Sequence, residues 1–143
     1  MENDIIIARA ILNHLNEWPD KPSYISLEIM EKAPIRSSMA MQQLSGTVIT
    51  RRYIDGSFTG SWPFAVYVRI SGTDTAKRFD AVKTLEAIGT WLKASPLPDL
   101  GENRVADEIE MTSLPAVAAT YEDGSTDYQA IFSLNYKQKR SDP

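Results

Sequence analysis

Arg51-Arg52-Tyr53-Ile54-Asp55-Gly56-Ser57 runs directly into Phe58-Thr59-Gly60-Ser61-Trp62-Pro63-Phe64-Ala65-Val66-Tyr67-Val68-Arg69-Ile70. This stretch decides the fold because it reads as strand, glycine turn, strand. Thr47 to Ile54 is rich in β-branched and aromatic residues, which suit a pleated, half-buried surface. Asp55-Gly56 signals a hairpin, since glycine takes a positive φ without steric cost. From Phe64, period two sends Phe64, Val66, Val68 and Ile70 to one side and Ala65, Tyr67 and Arg69 to the other. The same period separates Arg51 from Arg52, so they do not form a joint phosphate site.

Working outward, Asp4 to Trp18 carries Ile5, Ala8, Ile11, Leu12, Leu15 and Trp18 at helical spacing. Asn3 or Asp4 can cap that helix, and Pro19 is expected to end it. Tyr24 to Met30 alternates as a strand, broken by Ala33-Pro34. Ser37 to Gly46 is a weaker strand pattern. Thr73 to Lys93 returns to helical spacing through Phe79, Val82, Leu85, Ile88 and Leu92, with Thr73 or Asp74 as N-cap. Ser95 to Gly101 is a proline-containing loop. Val105 to Met111 alternates, Pro115 is expected to interrupt, and Ala116 to Tyr121 resumes. Asp123-Gly124 is a second hairpin signal, followed by alternation from Tyr128 to Tyr136.

This order predicts an α+β fold. We expect a mostly antiparallel mixed sheet with two main helices packed on one face. The 143 residues suit a single domain, with 1–3 and 138–143 as flexible ends and Lys137 to Pro143 as a frayed tail. No internal repeat or low-complexity block is apparent.

Composition narrows the chemistry. With no cysteine, the sequence excludes disulfides, thiolate metal sites and a cysteine nucleophile. A net charge of -4 argues against a freestanding nucleic-acid binder, which usually carries a basic face. No apolar run approaches the roughly 18 residues of a spanning helix, and the acidic start is unlike a secretory signal. The expectation is a soluble protein made in the cytoplasm.

Candidate catalytic groups are sparse. His14 is the one histidine, and Asn13, Asn16 and Glu17 around it do not build a metal site. No nucleophile elbow surrounds a serine, although a triad can assemble across a fold. Carboxylates cluster as Asp107, Glu108 and Glu110, and as Glu122, Asp123 and Asp127. They could do acid–base work if held close together; a wet sheet face and a turn is the blander reading. Gly56 and Gly60 lack the Lys-Ser/Thr of a phosphate loop. No catalytic residue, metal ligand or cofactor is assigned. Tyr, Trp and Arg are enriched at interface hot spots, so Arg51, Arg52, Tyr53, Asp55 and Trp62 are the candidate interaction residues. Trp62, beside Pro63, is expected at a turn and exposed.

Four features together resemble the tail terminator family of siphophages, often called minor capsid proteins. They are the N-terminal helix and short strand; Arg-Arg-Tyr-Ile-Asp-Gly-Ser leading to Trp62-Pro63-Phe64 and Arg69; the helix with Leu85, Ile88 and Trp91-Leu92; and the hairpin from Tyr121-Glu122-Asp123-Gly124 to Tyr128-Gln129-Ala130-Ile131-Phe132. The likeness spans about residues 5–138. It implies a structural protein, not an enzyme, that forms a ring with itself, most often a hexamer, at the head-proximal end of the tail in the virion. Its partners would be the major tail tube protein and the head connector or completion protein, with no specific nucleic-acid binding and no membrane. Such a ring stops tube polymerisation and presents a surface for head attachment. The segments Asp55 to Trp62 and Ser95 to Arg104 would be loops that order on assembly. Two alternatives stay open: another head–tail completion protein, or a small α+β ligand-binding domain or enzyme using Glu108/Glu110 or Asp123/Asp127.

Overall fold

Alternation and helical spacing both take physical form in the computed structural model, which describes residues 2–21, 25–27, 38–71, 74–101 and 103–139. In chain order the elements are α1 (Glu2–Asn16), β1 (Ile25–Leu27), β2 (Ser38–Gln43), β3 (Val48–Arg52), β4 (Phe58–Ile70), α2 (Thr75–Ala94), β5 (Arg104–Thr120) and β6 (Thr126–Gln138). The six strands form one sheet in the order β1-β2-β4-β6-β5, with β3 also on β4. β1 and β2 are parallel, and the other pairs are antiparallel. The fold is therefore α+β, as the element order predicts.

The long pair β4–β6 is the spine. It is in register from Phe58 opposite Gln138 to Ile70 opposite Thr126. β2 and β3 follow one another along the same edge of β4: β2 takes Phe64 to Arg69, and β3 takes Phe58 to Ser61.

Both helices lie on one face. α1 contributes Ile7, Ala8, Ile11 and Leu15, and α2 contributes Ala81, Leu85, Ile88 and Leu92. They share one apolar cluster with Phe64, Val66 and Val68 of β4 and Tyr128, Ala130, Phe132 and Leu134 of β6. Phe64 and Phe132 are cross-strand partners whose rings stack at 5.5 Å. Burying side chains of this size stabilises by about 1.5–3 kcal/mol each, which fixes the register: a one-residue slip would turn the whole row to solvent. Asp74 caps α2 by accepting from the Ala76 N–H. The alternative cap, Thr73, lies outside the described residues, as do Tyr24, 28–37 and 140–143.

Five expectations need correction. The first helix begins at Glu2, so Asn3 and Asp4 lie inside it and are not its cap. α1 stops at Asn16, before Pro19. The Asn16 amide accepts from the Ile25 N–H at 2.9 Å and donates to the Ile25 carbonyl at 3.0 Å, so the helix end is tied to β1 by a side chain. Pro115 does not interrupt β5, which runs unbroken to Thr120. β5 is an edge strand, and its register shifts between Ser113 and Ala116, so the missing N–H costs no essential ladder bond. Lys137 and Gln138 are not a frayed end; both pair with β4 and β5.

Finally, Trp62 is neither at a turn nor exposed. It sits inside β4 opposite Leu134 and is completely buried. Pro63 is tolerated beside it for a local reason. β2 reaches Phe64 and β3 reaches Ser61, leaving Pro63 in the gap between them. The Pro63 carbonyl accepts from Leu44 N on that side, and a strand residue's N and O point the same way. The absent N–H therefore faces the gap.

Candidate interaction site

The β3–β4 hairpin closes through residues that the sequence nominates for contact. Tyr53 N–H donates to the Ser57 carbonyl, and Gly56 N–H donates to the Tyr53 carbonyl. Gly56 adopts a φ of 91°. Asp55 accepts from the Ser57 N–H at 2.9 Å and from the Ser57 hydroxyl at 2.6 Å. The Asp55 carboxylate thus builds the turn; the contact surface here is aromatic and cationic. Arg51 lies over the Tyr53 ring at 5.3 Å, and Lys137 of β6 approaches it at 5.1 Å. Cation–π attraction organises all three side chains at the surface. Ile54, at the tip, is fully exposed.

Arg51 and Arg52 start from opposite faces, as period two requires. Arg52 pairs with Phe58 and Ile49 with Gly60, on the helix side. Arg51 pairs with Thr59 on the open side. A bulge between Ile49 and Arg51 adds Thr50, whose hydroxyl bonds the Thr59 hydroxyl at 2.9 Å. All of β3 is exposed, including Val48 and Ile49. Of the five nominated residues, four come together at this hairpin, and Trp62 belongs to the core.

The open sheet face carries a polar cluster that sequence reading missed. Arg69 and Asp127, opposite each other on β4 and β6, form a buried bidentate pair at 2.7 and 3.1 Å. The Tyr121 hydroxyl donates to Asp127 at 2.5 Å, while its ring lies 4.9 Å from the Arg69 guanidinium. The hydrogen bond to Asp127 pushes the Arg69 and Tyr121 pKa values up. The signal was present in outline: Arg69 ends one alternating strand and Asp127 begins another. Only their pairing places them side by side.

The carboxylate candidates do not converge. Asp123 builds its own turn by accepting from the Ser125 N–H and hydroxyl, and Asp127 is committed to Arg69. Glu108 and Glu110 are exposed on β5, and both accept from the Asn135 amide, at 3.2 and 3.4 Å. They border an open groove of about 960 Å³ between the edge of β5 and the C-terminal half of α2. Glu86, Asp107, Pro96, Leu97 and Met111 also line it.

His14 sits where the helices meet. Its ring stacks on Trp91 at 4.9 Å, and its Nε2 is 3.3 Å from the Ser95 hydroxyl. Burial lowers its pKa, against the opposing pull of Glu17. Among the described residues no group of three or more His, Asp or Glu is placed to hold a metal ion, and no helix is long and apolar enough to cross a membrane.

Comparison with known proteins adds the fold and nothing more specific. No family model matches the chain, and no curated protein matches it. A solved structure named only by a sequence label superposes with a TM-score of 0.53 at 13% identity, covering 97% of each chain. At that identity the likeness is one of architecture: the same layering of helices on a sheet, carried by a largely different sequence.

Proposed function

We propose that this chain is a tail terminator, a structural protein that closes into a ring on the end of a phage tail tube. The ring stops tube polymerisation and offers its other side to the head connector. One observation carries the reading: two of the sheet's edge strands, β3 and β5, carry opposite charge. β3 presents Arg51 and Arg52, and β5 presents Asp107, Glu108 and Glu110, all exposed. A subunit with two different sticky edges associates head to tail, and head-to-tail contacts that close make rings with two unlike faces. One face suits the tube and the other the connector. The loop expected over Asp55 to Trp62 narrows to residues 55–57, because Phe58 to Trp62 is already strand, and the one expected over Ser95 to Arg104 stops short of Arg104, which opens β5.

Size-exclusion chromatography with light scattering, followed by negative-stain imaging, tests this. Rings in solution, or assembly on the ends of purified tail tubes, are expected. Strict monomers that ignore tube ends contradict it. A second reading, a ligand-binding domain, draws on the groove beside β5. Its carboxylates are exposed; a small-molecule screen by thermal shift that raises the melting temperature, with loss on Glu86→Gln, would favour it.

A further inference from the structure

We infer that the ring contact is sheet extension: β3 of one copy adds to the free edge of β5 of the next. The inference rests on the ring reading above and says which surfaces meet. Among the described residues β3 pairs with β4 alone and β5 with β6 alone, so each has an unpaired backbone edge. Such edges are templates for another strand.

Strand direction permits the match. β3 is antiparallel to β4, β4 to β6, and β6 to β5, so β3 and β5 run in opposite senses within one sheet. A head-to-tail copy keeps that sense, so its β3 meets β5 antiparallel. The two edges also lie at the same end of the sheet. The β3 rows continue across β4 and β6 to Arg104 through Glu108, with Arg51 level with Val105 and Arg52 level with Arg104. A stagger of three to five residues between neighbouring copies is therefore what sets the arginines beside Asp107 to Glu110 and away from Arg104; strands of a closed sheet are staggered in this way.

Charge selects this pairing over its rivals. β3 against β3 would set arginines together, and β5 against β5 would set carboxylates together. Only the unlike pair is complementary. Neither Arg51 nor Arg52 has a carboxylate partner among the described residues. The two faces match separately. Arg51 lies on the open face, where Glu108 and Glu110 flank Asn135. Arg52 and Ile49 lie on the helix side, where the groove offers Glu86 and Asp107 with Leu97 and Met111. An added strand lays alternate side chains into that groove. The Tyr53–Ile54 tip then extends past the junction.

The test is charge exchange, read by sedimentation velocity of the full chain. Arg51→Glu, and separately Glu108→Arg with Glu110→Arg, should each weaken association at least about a hundredfold. All three changes in one chain, which exchange the charges of the open face alone, should restore rings. Assembly of the wild type should weaken as salt rises, a readout independent of any variant's folding. Rings that survive either reversal or ignore salt, or a triple variant that stays monomeric, overturn this contact and leave the ring reading standing. A wild type that never associates, alone or with tubes, overturns both.

Discussion

Two turns in this molecule have the same chemistry and different surroundings. Tyr53-Ile54-Asp55-Gly56-Ser57 and Tyr121-Glu122-Asp123-Gly124-Ser125 share a Tyr-x-Asp-Gly-Ser pattern. Each closes with the tyrosine N–H on the serine carbonyl, the aspartate on the serine N–H and hydroxyl, and a left-handed glycine at 91° or 88°. Each tyrosine has an arginine near its ring. Because β4 and β6 are antiparallel along their full length, the two turns lie at opposite ends of the sheet. At 121–125 the tyrosine is locked onto a buried Arg69–Asp127 pair. At 53–57 the same tyrosine sits between two exposed cations. Local sequence fixes the shape of a turn, and the strand pairing around it decides whether its side chains serve the fold or remain available to a partner.

The sharpest break of this comparison is at the charged pair. Asp127→Ala takes the carboxylate away from the buried Arg69 guanidinium, which should cost about 3–5 kcal/mol in urea denaturation. Lys137→Ala at the other turn should stay within about 0.5 kcal/mol. Similar costs at both sites would erase the distinction. Next, Tyr121→Phe should lose about 1–3 kcal/mol by removing the hydroxyl bonded to Asp127, whereas Tyr53→Phe should leave the midpoint unmoved. Gly56→Ala and Gly124→Ala should cost about 1–2 kcal/mol each, because both place a Cβ in the left-handed region. Unequal costs would show that the turns are not equivalent.

The smallest effect lies away from both turns. The His14 pKa is lowered in the folded state, so below its ordinary 6.5 the unfolded chain binds more protons. Stability should fall as pH drops through that value and level off below the folded-state pKa. His14→Gln should remove that slope and leave both hairpins unaffected, as a pH series of urea midpoints would report.

Much of the fold was legible because burial enforces period. Phe64, Val66 and Val68 alternate since one face meets the helices, and Leu85, Ile88 and Leu92 recur since one stripe meets the sheet. The Asp-Gly turns were legible because few other pairs take that geometry. Trp62-Pro63 misled because proline's cost depends on which neighbour its N–H would face, and only pairing reveals the gap between β2 and β3. Pro115 misled for the same reason at an edge. The Arg69–Asp127 pair was invisible because register is a property of two strands together. At the candidate site, the exposed Arg51, Arg52 and Tyr53 were legible as residues, and the acidic edge across the sheet was legible only as a wet strand.

Hydrogen exchange on assembled and dissociated protein tests the central claim most directly. The account predicts slowed exchange on assembly in 48–54 and 104–112, with residues 121–127 unchanged. Equal exchange of both edges in the two states, or new protection confined to 121–127, would contradict it.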